Sequence, residues 1–340
     1  LAVFSEKKRI HAGRNGKYIS DTSPIFASKM SNEMPDFREI TSGLMFPEGP
    51  IAMPDGSVIL VEIERGTLTR VHSDGHTEII AETGGGPNGA ALGPDGKVYI
   101  CNNGGFNWDS DNGVRHPTAQ ADDYSGGRIE RVDLKTGAVE VLYTECERRP
   151  LCGPNDIVFD ATGNFWFTDL GKSRQFDMDR GAVYYARSDG SLIKRAAAPL
   201  MTPNGIGLSP DGNRVYAAET DPRRLLAWDI IGEGQLETKP WPAVGWGEVI
   251  MAPDGIKRFD SLALEANGNI CVATLLTGGI TVASPDGGVV EFIPLPDIMT
   301  TNICFGGENM QTAYITLSGA GRLIALDWPR PGLPLHFLNK

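Results

Sequence analysis

Phe46-Pro47-Glu48-Gly49-Pro50-Ile51-Ala52-Met53-Pro54-Asp55-Gly56-Ser57-Val58-Ile59-Leu60-Val61-Glu62 reads as two short apolar strands joined by a tight turn. In Pro54-Asp55-Gly56 the proline fixes φ, the aspartate bonds its own backbone and the glycine accepts positive φ, so a hairpin is expected. The same phrase recurs. Pro87-Asn88-Gly89 precedes Pro94-Asp95-Gly96, Pro154-Asn155-Asp156 precedes Ala161-Thr162-Gly163, and Pro203-Asn204-Gly205 precedes Pro210-Asp211-Gly212. Fainter copies are Phe259-Asp260-Ser261 before Ala266-Asn267-Gly268, and Thr301-Asn302 before Glu308-Asn309. The chain therefore holds six units.

With Asp55, Asp95, Thr162, Asp211, Asn267 and Asn309 as turn markers, the residues seven places upstream are Glu48, Asn88, Asn155, Asn204, Asp260 and Asn302. Asp, Glu and Asn fill about one position in six of this chain. Turn chemistry alone accounts for many of them but not for a constant register. Repeats of this length, rich in short strands, are the signature of propeller blades. The expected fold is all-β: a six-bladed β-propeller with four-stranded antiparallel blades around a central metal-binding channel. The first strand of each blade lines the axis, so the six residues form a ring. About seven residues after each turn the hairpin returns to the height of the ring, at Glu62, Asn102, Asp169, Glu219, Thr274 and Thr316, giving a further polar layer at that end.

Composition sets the remaining bounds. A length of 340 residues, 41% hydrophobic with 42 Gly and 23 Pro, fits one closed domain of many tight turns. A net charge of -12 argues against nucleic acid or an anionic membrane as partner and is compatible with a cation site. No apolar run reaches the length of a membrane span. Cys101, Cys271 and Cys304 read as buried thiols and Cys146 and Cys152 as thiols flanking a loop, without zinc or disulfide spacing; a reducing, cytoplasmic setting is expected. The divisions expected are an N-terminal extension or leader over 1–36, the propeller over 37–328 and a C-terminal tail over 329–340. A strand around Phe37 to Ile40 closes the sixth blade. The long polar insertion after Asn102 leaves from the ring end and should cover it with Phe106, Trp108, Arg115 and His116. Arg223 and Arg224 lie at the same end.

Two carboxylates, Glu48 and Asp260, with the amides of Asn155, Asn204 and Asn88 are hard donors without His or Cys. Such a set suits Ca²⁺ first, then Mg²⁺ or Mn²⁺, with Zn²⁺ less favoured. A cation there would either tie the blades together or act in catalysis.

The motifs Pro47-Glu48-Gly49-Pro50, Pro154-Asn155-Asp156, Pro203-Asn204-Gly205, Asp260-Ser261 and Cys304-Phe305-Gly306-Gly307 resemble those of the senescence marker protein, gluconolactonase and luciferin-regenerating enzyme family. The resemblance covers about residues 37 to 328. It implies a divalent cation held by Glu48, Asn155, Asn204 and Asp260, and hydrolysis of a small-molecule lactone; a monomer or small homo-oligomer is expected. Asp260, or in second place Glu48, would take the proton of the attacking water; direct attack by Asp260 stays open. Substrate contacts are expected from Asn88, Asn102, Asn155, Asp169, Glu219, Trp108 and His116. Alternatives are an organophosphate hydrolase of the diisopropyl fluorophosphatase type and a non-enzymatic calcium-binding scaffold.

Overall fold

The computed structural model describes residues 33–240 and 247–340, so the expected N-terminal extension lies outside the described residues except for 33–36. The chain forms the six-bladed propeller. Blade 1 runs outward from the axis as Pro47–Ala52, Val58–Glu62, Thr67–Val71 and Thr77–Glu82. The inner strands of blades 2 to 6 are Pro87–Leu92, Pro154–Phe159, Pro203–Leu208, Arg258–Leu264 and Thr300–Gly306. Arg38–Ser42 pairs antiparallel with Arg322–Asp327 and supplies the outermost strand of blade 6, as the closure argument expects. In blade 4 the fourth strand is Glu248–Met251, and Gln235–Leu236 pairs beside it on Arg224–Gly232. Among the described residues no helix is long and apolar enough to cross a membrane.

The turn chemistry reads through directly. In blade 1 Met53 N donates to Ser57 O (2.8 Å), Ser57 N donates to Asp55 Oδ1 (2.9 Å) and Gly56 has φ +83°. Asp95 and Asp211 accept the backbone N–H two residues on in the same way. Pro253-Asp254-Gly255 lies in the connection into the inner strand of blade 5.

Each hairpin arm is an almost unbroken apolar run because both of its faces are covered. In blade 1, Val58 and Leu60 pack toward blade 6 with Leu323, while Ile59 and Val61 pack toward blade 2 with Val98 and Ile100. In blade 3, Phe165 and Phe167 face blade 2, and Trp166 faces blade 4 with Val215 and Ala217. The period-two alternation of a strand thus serves two interfaces at once. All five cysteines are free thiols, four of them buried.

Near the axis the inner strands come so close that small residues decide the spacing. A Cβ on Gly49, which has φ +52°, would lie 2.7 Å from Ala90 N and 2.8 Å from Asn88 O. A Cβ on Gly205 would lie 2.7 Å from Asp260 O. Gly49→Ala is therefore expected to cost on the order of 3 kcal/mol, from backbone strain together with forced separation of two blades. Urea unfolding checks this, and an unchanged midpoint would contradict the close approach.

Candidate functional site

The ring residues open their strands. Glu48, Asn88, Asn155 and Asn204 each follow the proline that begins an inner strand, where the missing N–H costs no ladder bond. All six inner strands break register with the second strand at this level: between Glu48 and Ile51, Pro87 and Ala90, Pro154 and Ile157, Pro203 and Ile206, Phe259 and Leu262, and Thr300 and Asn302. Such irregularities re-aim side chains that a regular pleat would send into the neighbouring blade.

Five ring members, Glu48, Asn88, Asn155, Asn204 and Asp260, line one cavity of about 550 Å³. The sixth, Asn302, departs from the expected ring. It borders a second cavity of about 600 Å³ at the opposite end of the channel, while its Nδ2 donates to Glu48 Oε2 (2.7 Å). Strand and turn residues line that second cavity, together with tail residues such as Leu333 and His336. It is the larger of the two, but the five ring residues converge on the other.

Glu48 Oε2 also accepts from Gly49 N (2.9 Å). Asn204 Nδ2 donates to Thr220 Oγ (3.2 Å), which turns Oδ1 toward Ser261 Oγ (3.4 Å). Asn155 Oδ1 is buried and has no hydrogen-bond partner, a state with a cost of roughly 1–3 kcal/mol unless something else meets that oxygen.

Asp156, which the sequence reading left without a role, borders the second cavity with Asn302. Its carboxylate accepts from Ile157 N (2.9 Å) and Ile206 N (3.3 Å). Burial pushes it up to about 7, with the neighbouring Glu48 charge adding to the effect. Burial likewise raises Glu48, and raises Asp260 well above the carboxylate range, where Glu48 and Asp156 add repulsion. The main groups acting on these three are amides, hydroxyls, backbone N–H groups and one another; none is a cationic side chain. Among the described residues no group of three or more His, Cys, Asp or Glu is disposed to hold a metal. The donor set at the ring is instead two carboxylates with amide oxygens. Hard oxygen donors, an orphaned amide oxygen and uncompensated buried carboxylates all fit a divalent cation of the Ca²⁺ kind.

Four residues expected to touch substrate, Asn102, Asp169, Glu219 and Trp108, do not line the cavity. Asn102 Oδ1 accepts from Gly86 N (2.9 Å) and Gly104 N (3.0 Å). Asp169 accepts from Cys152, Gly153 and Gly171 N–H (2.8, 2.7 and 2.9 Å), and burial still raises its carboxyl. Glu219 accepts from Met201 N (2.7 Å) and pairs with Arg224. In blade 1, Glu62 accepts from Met45 N (2.7 Å) in the same manner. These side chains fasten the loop that leads into each ring residue. Arg223, the other expected arginine, bonds to Gly255 O.

The insertion folds as a hairpin, Phe106–Asp111 with Val114–Gln120, and roofs the cavity with Phe106, Val114, His116 and Pro117. His116 sits with Nε2 3.7 Å from Asp111. Trp108 stands behind the wall instead, against the Phe46 ring at 4.9 Å, and Arg115 pairs with Glu64. The hairpin is pinned by Arg115 N to Gly319 O (3.0 Å), Gln120 N to Ser173 O (2.9 Å) and a buried lysine. Lys172 Nζ donates to Asn103 Oδ1 (2.9 Å) and Gly105 O (2.8 Å) and stands 3.7 Å over the Phe106 ring. Burial pushes Lys172 down to about 7, opposed by Asp169, Cys152 and Asp179. Between pH 7 and 10 the unfolded chain then holds a proton that the folded chain releases, so stability attributable to this group rises with pH. Urea unfolding from pH 7 to 9 should show a positive slope in the wild type, up to about 1.4 kcal/mol per pH unit relative to Lys172→Met. Equal slopes would mean that the ammonium is not desolvated.

The chain is similar to known proteins in sequence and in fold. The gluconolactonase of Zymomonas mobilis subsp. mobilis is 26% identical over 302 residues, covering 82% of this chain and 78% of that one. The diisopropyl-fluorophosphatase of Loligo vulgaris is 28% identical over 205 residues, 57% of this chain, and the match spans 63% of that protein's length. In structure, the calcium-binding protein regucalcin of Agrobacterium tumefaciens str. C58 superposes with a TM-score of 0.67 at 19% identity, over 89% of this chain and 98% of that one, a likeness of fold. The sequence model of the SMP-30/Gluconolactonase/LRE-like region matches residues 46–319, from just ahead of the first inner strand into the sixth blade, and the chain belongs to that family.

Proposed function

We propose that the cavity over the ring is the active site of a divalent-cation-dependent lactone hydrolase. The observation that carries this reading is the convergence of Glu48, Asn88, Asn155, Asn204 and Asp260 on one cavity, with Asn155 Oδ1 buried and unpartnered. Family membership and the relative named gluconolactonase support the reaction class. Glu48, Asn155, Asn204 and Asp260 would hold the cation, Ca²⁺ in the first place. Bound there, it would offset the two carboxylates and stabilise negative charge on an ester carbonyl oxygen.

The remaining work falls to the chain. Asp260 takes a proton from water as the water oxygen bonds to the acyl carbon. The ring C–O bond breaks, the leaving alkoxide receives that proton, and the product is a hydroxy acid. Asn302 keeps Glu48 aimed by donating to Oε2, and the Asn204 amide is held by Thr220. Asn88 lines the cavity beside them and orients the ester. The roof hairpin excludes water from the face opposite the ring. His116, at the roof, meets the part of the substrate farthest from the ester.

The Loligo relative favours a second reading, phosphotriester or fluorophosphate hydrolysis at the same ring. Lactone opening and fluoride release, each followed by acid production on the same Ca²⁺-loaded protein, decide between them. Asp260→Asn should lower lactone kcat by about 10²- to 10⁴-fold while circular dichroism stays that of the wild type. Chelation should abolish turnover and lower the melting temperature, and Ca²⁺ should restore both. Full activity in chelator would remove the cation from the mechanism. Fluoride release outpacing every lactone would favour the second reading.

A further inference from the structure

Among the residues that line the cavity beside the ring is a set of large apolar side chains that a sugar would not need. Phe46, Ile63 and Leu275 form the lower wall, and Leu276, Ile298 and Met299 continue it upward. Leu276 and Ile298 are 39% and 45% exposed, large apolar side chains left in water beside a cavity. Such surface is costly unless a ligand covers it. Phe106, Val114 and Pro117 face it from the roof.

Two of these side chains are held there against the preference of the backbone. Leu276 has φ +71° and Phe46 has φ +56°, in the left-handed region that bulky residues avoid and that Gly or Asn would occupy at little cost. The conformations are fixed from outside. Leu276 N donates to Ile298 O (2.8 Å), tying the blade 5 loop to blade 6, and Phe46 is backed by Trp108. Strain of this kind, roughly 1–3 kcal/mol per residue, persists where the side chain has work to do in a site.

The threonines of the walls are meanwhile engaged within the fold. Thr202 Oγ accepts from Asp221 N (2.9 Å), Thr220 Oγ accepts from Asn204, and Thr118 Oγ donates to Asn107 O (3.1 Å). Arg258 lies 3.5 Å from Asp221, and His116 lies 3.7 Å from Asp111. A polyhydroxylated lactone would bring several hydroxyls to walls whose threonines already have partners, and each unmatched hydroxyl would weaken binding.

Resting on the lactonase reading, we infer that the substrate is a lactone bearing an apolar alkyl or aryl group, with Leu276 and Ile298 as specificity-determining residues. The ester sits over the ring and the apolar group lies between the roof hairpin and the blade 5 and 6 loops. The cavity of about 550 Å³ has room for such a substituent beside a six-membered ring.

The test uses the full chain loaded with Ca²⁺ and measures kcat/KM for glucono-1,5-lactone, δ-valerolactone, a series of δ-alkyl-δ-lactones and dihydrocoumarin. The alkyl series should rise with chain length, up to about fourfold per methylene, and dihydrocoumarin should exceed the sugar lactone by at least about 100-fold. Leu276→Asn removes apolar surface and relieves the left-handed backbone, so it should fold at least as stably as the wild type. It should lower the ratio of alkyl lactone to δ-valerolactone kcat/KM by about tenfold, mainly through KM, and Ile298→Asn should act the same way. A sugar lactone turned over as well as or better than the alkyl series overturns this inference and leaves the lactonase reading standing. Hydrolysis of no lactone at all overturns both.

Discussion

Three carboxyl groups held out of water beside one another are the constraint around which this propeller is built. Glu48 raises the cost of charging Asp156, and both raise the cost of charging Asp260. A fold governed by packing alone would place leucine or valine at such positions, as it does a few residues further along the same strands at Ile51, Ile157 and Leu262. Isolated buried charge is among the most expensive features a protein carries. The proline starts, the register breaks and the amide partners of the inner strands all hold these groups where they are.

The rest of the ring end serves that arrangement. Glu62, Asn102, Asp169 and Glu219 occupy equivalent places on the second strands, and each fixes the loop entering a ring residue. Rigidity is thereby supplied one layer behind the ring, as a preorganised site requires. The roof hairpin follows the same rule, being fastened to blades 1, 3 and 6 rather than left free.

The fold was legible in the sequence because turn residues act locally. Asp55, Asp95 and Asp211 bond their own loops wherever the rest of the chain goes, so six copies of one phrase were enough to count blades. Five ring residues were legible for a related reason, since a fixed offset from a turn is a fixed height on a strand. The direction of a side chain was not. Asn102, Asp169 and Glu219 lie at the right height but spend their oxygens on backbone N–H groups, and a break in the pleat decides that Asn302 borders the other cavity. Asp156 left one trace, a carboxylate where the matching phrases have Gly89 and Gly205. Lys172 left none, because a lysine in a polar loop looks solvated until an aromatic ring and a carbonyl close over it.

The bond from Asn302 to Glu48 joins residues 254 positions apart, and that from Ser318 Oγ to Pro47 O spans 271. The first blade to be synthesised therefore waits for the last before its key glutamate has a fixed orientation. Until the sixth blade docks, a nascent or truncated chain presents the donors without their geometry. Orientation of that glutamate and closure of the propeller thus become a single late event.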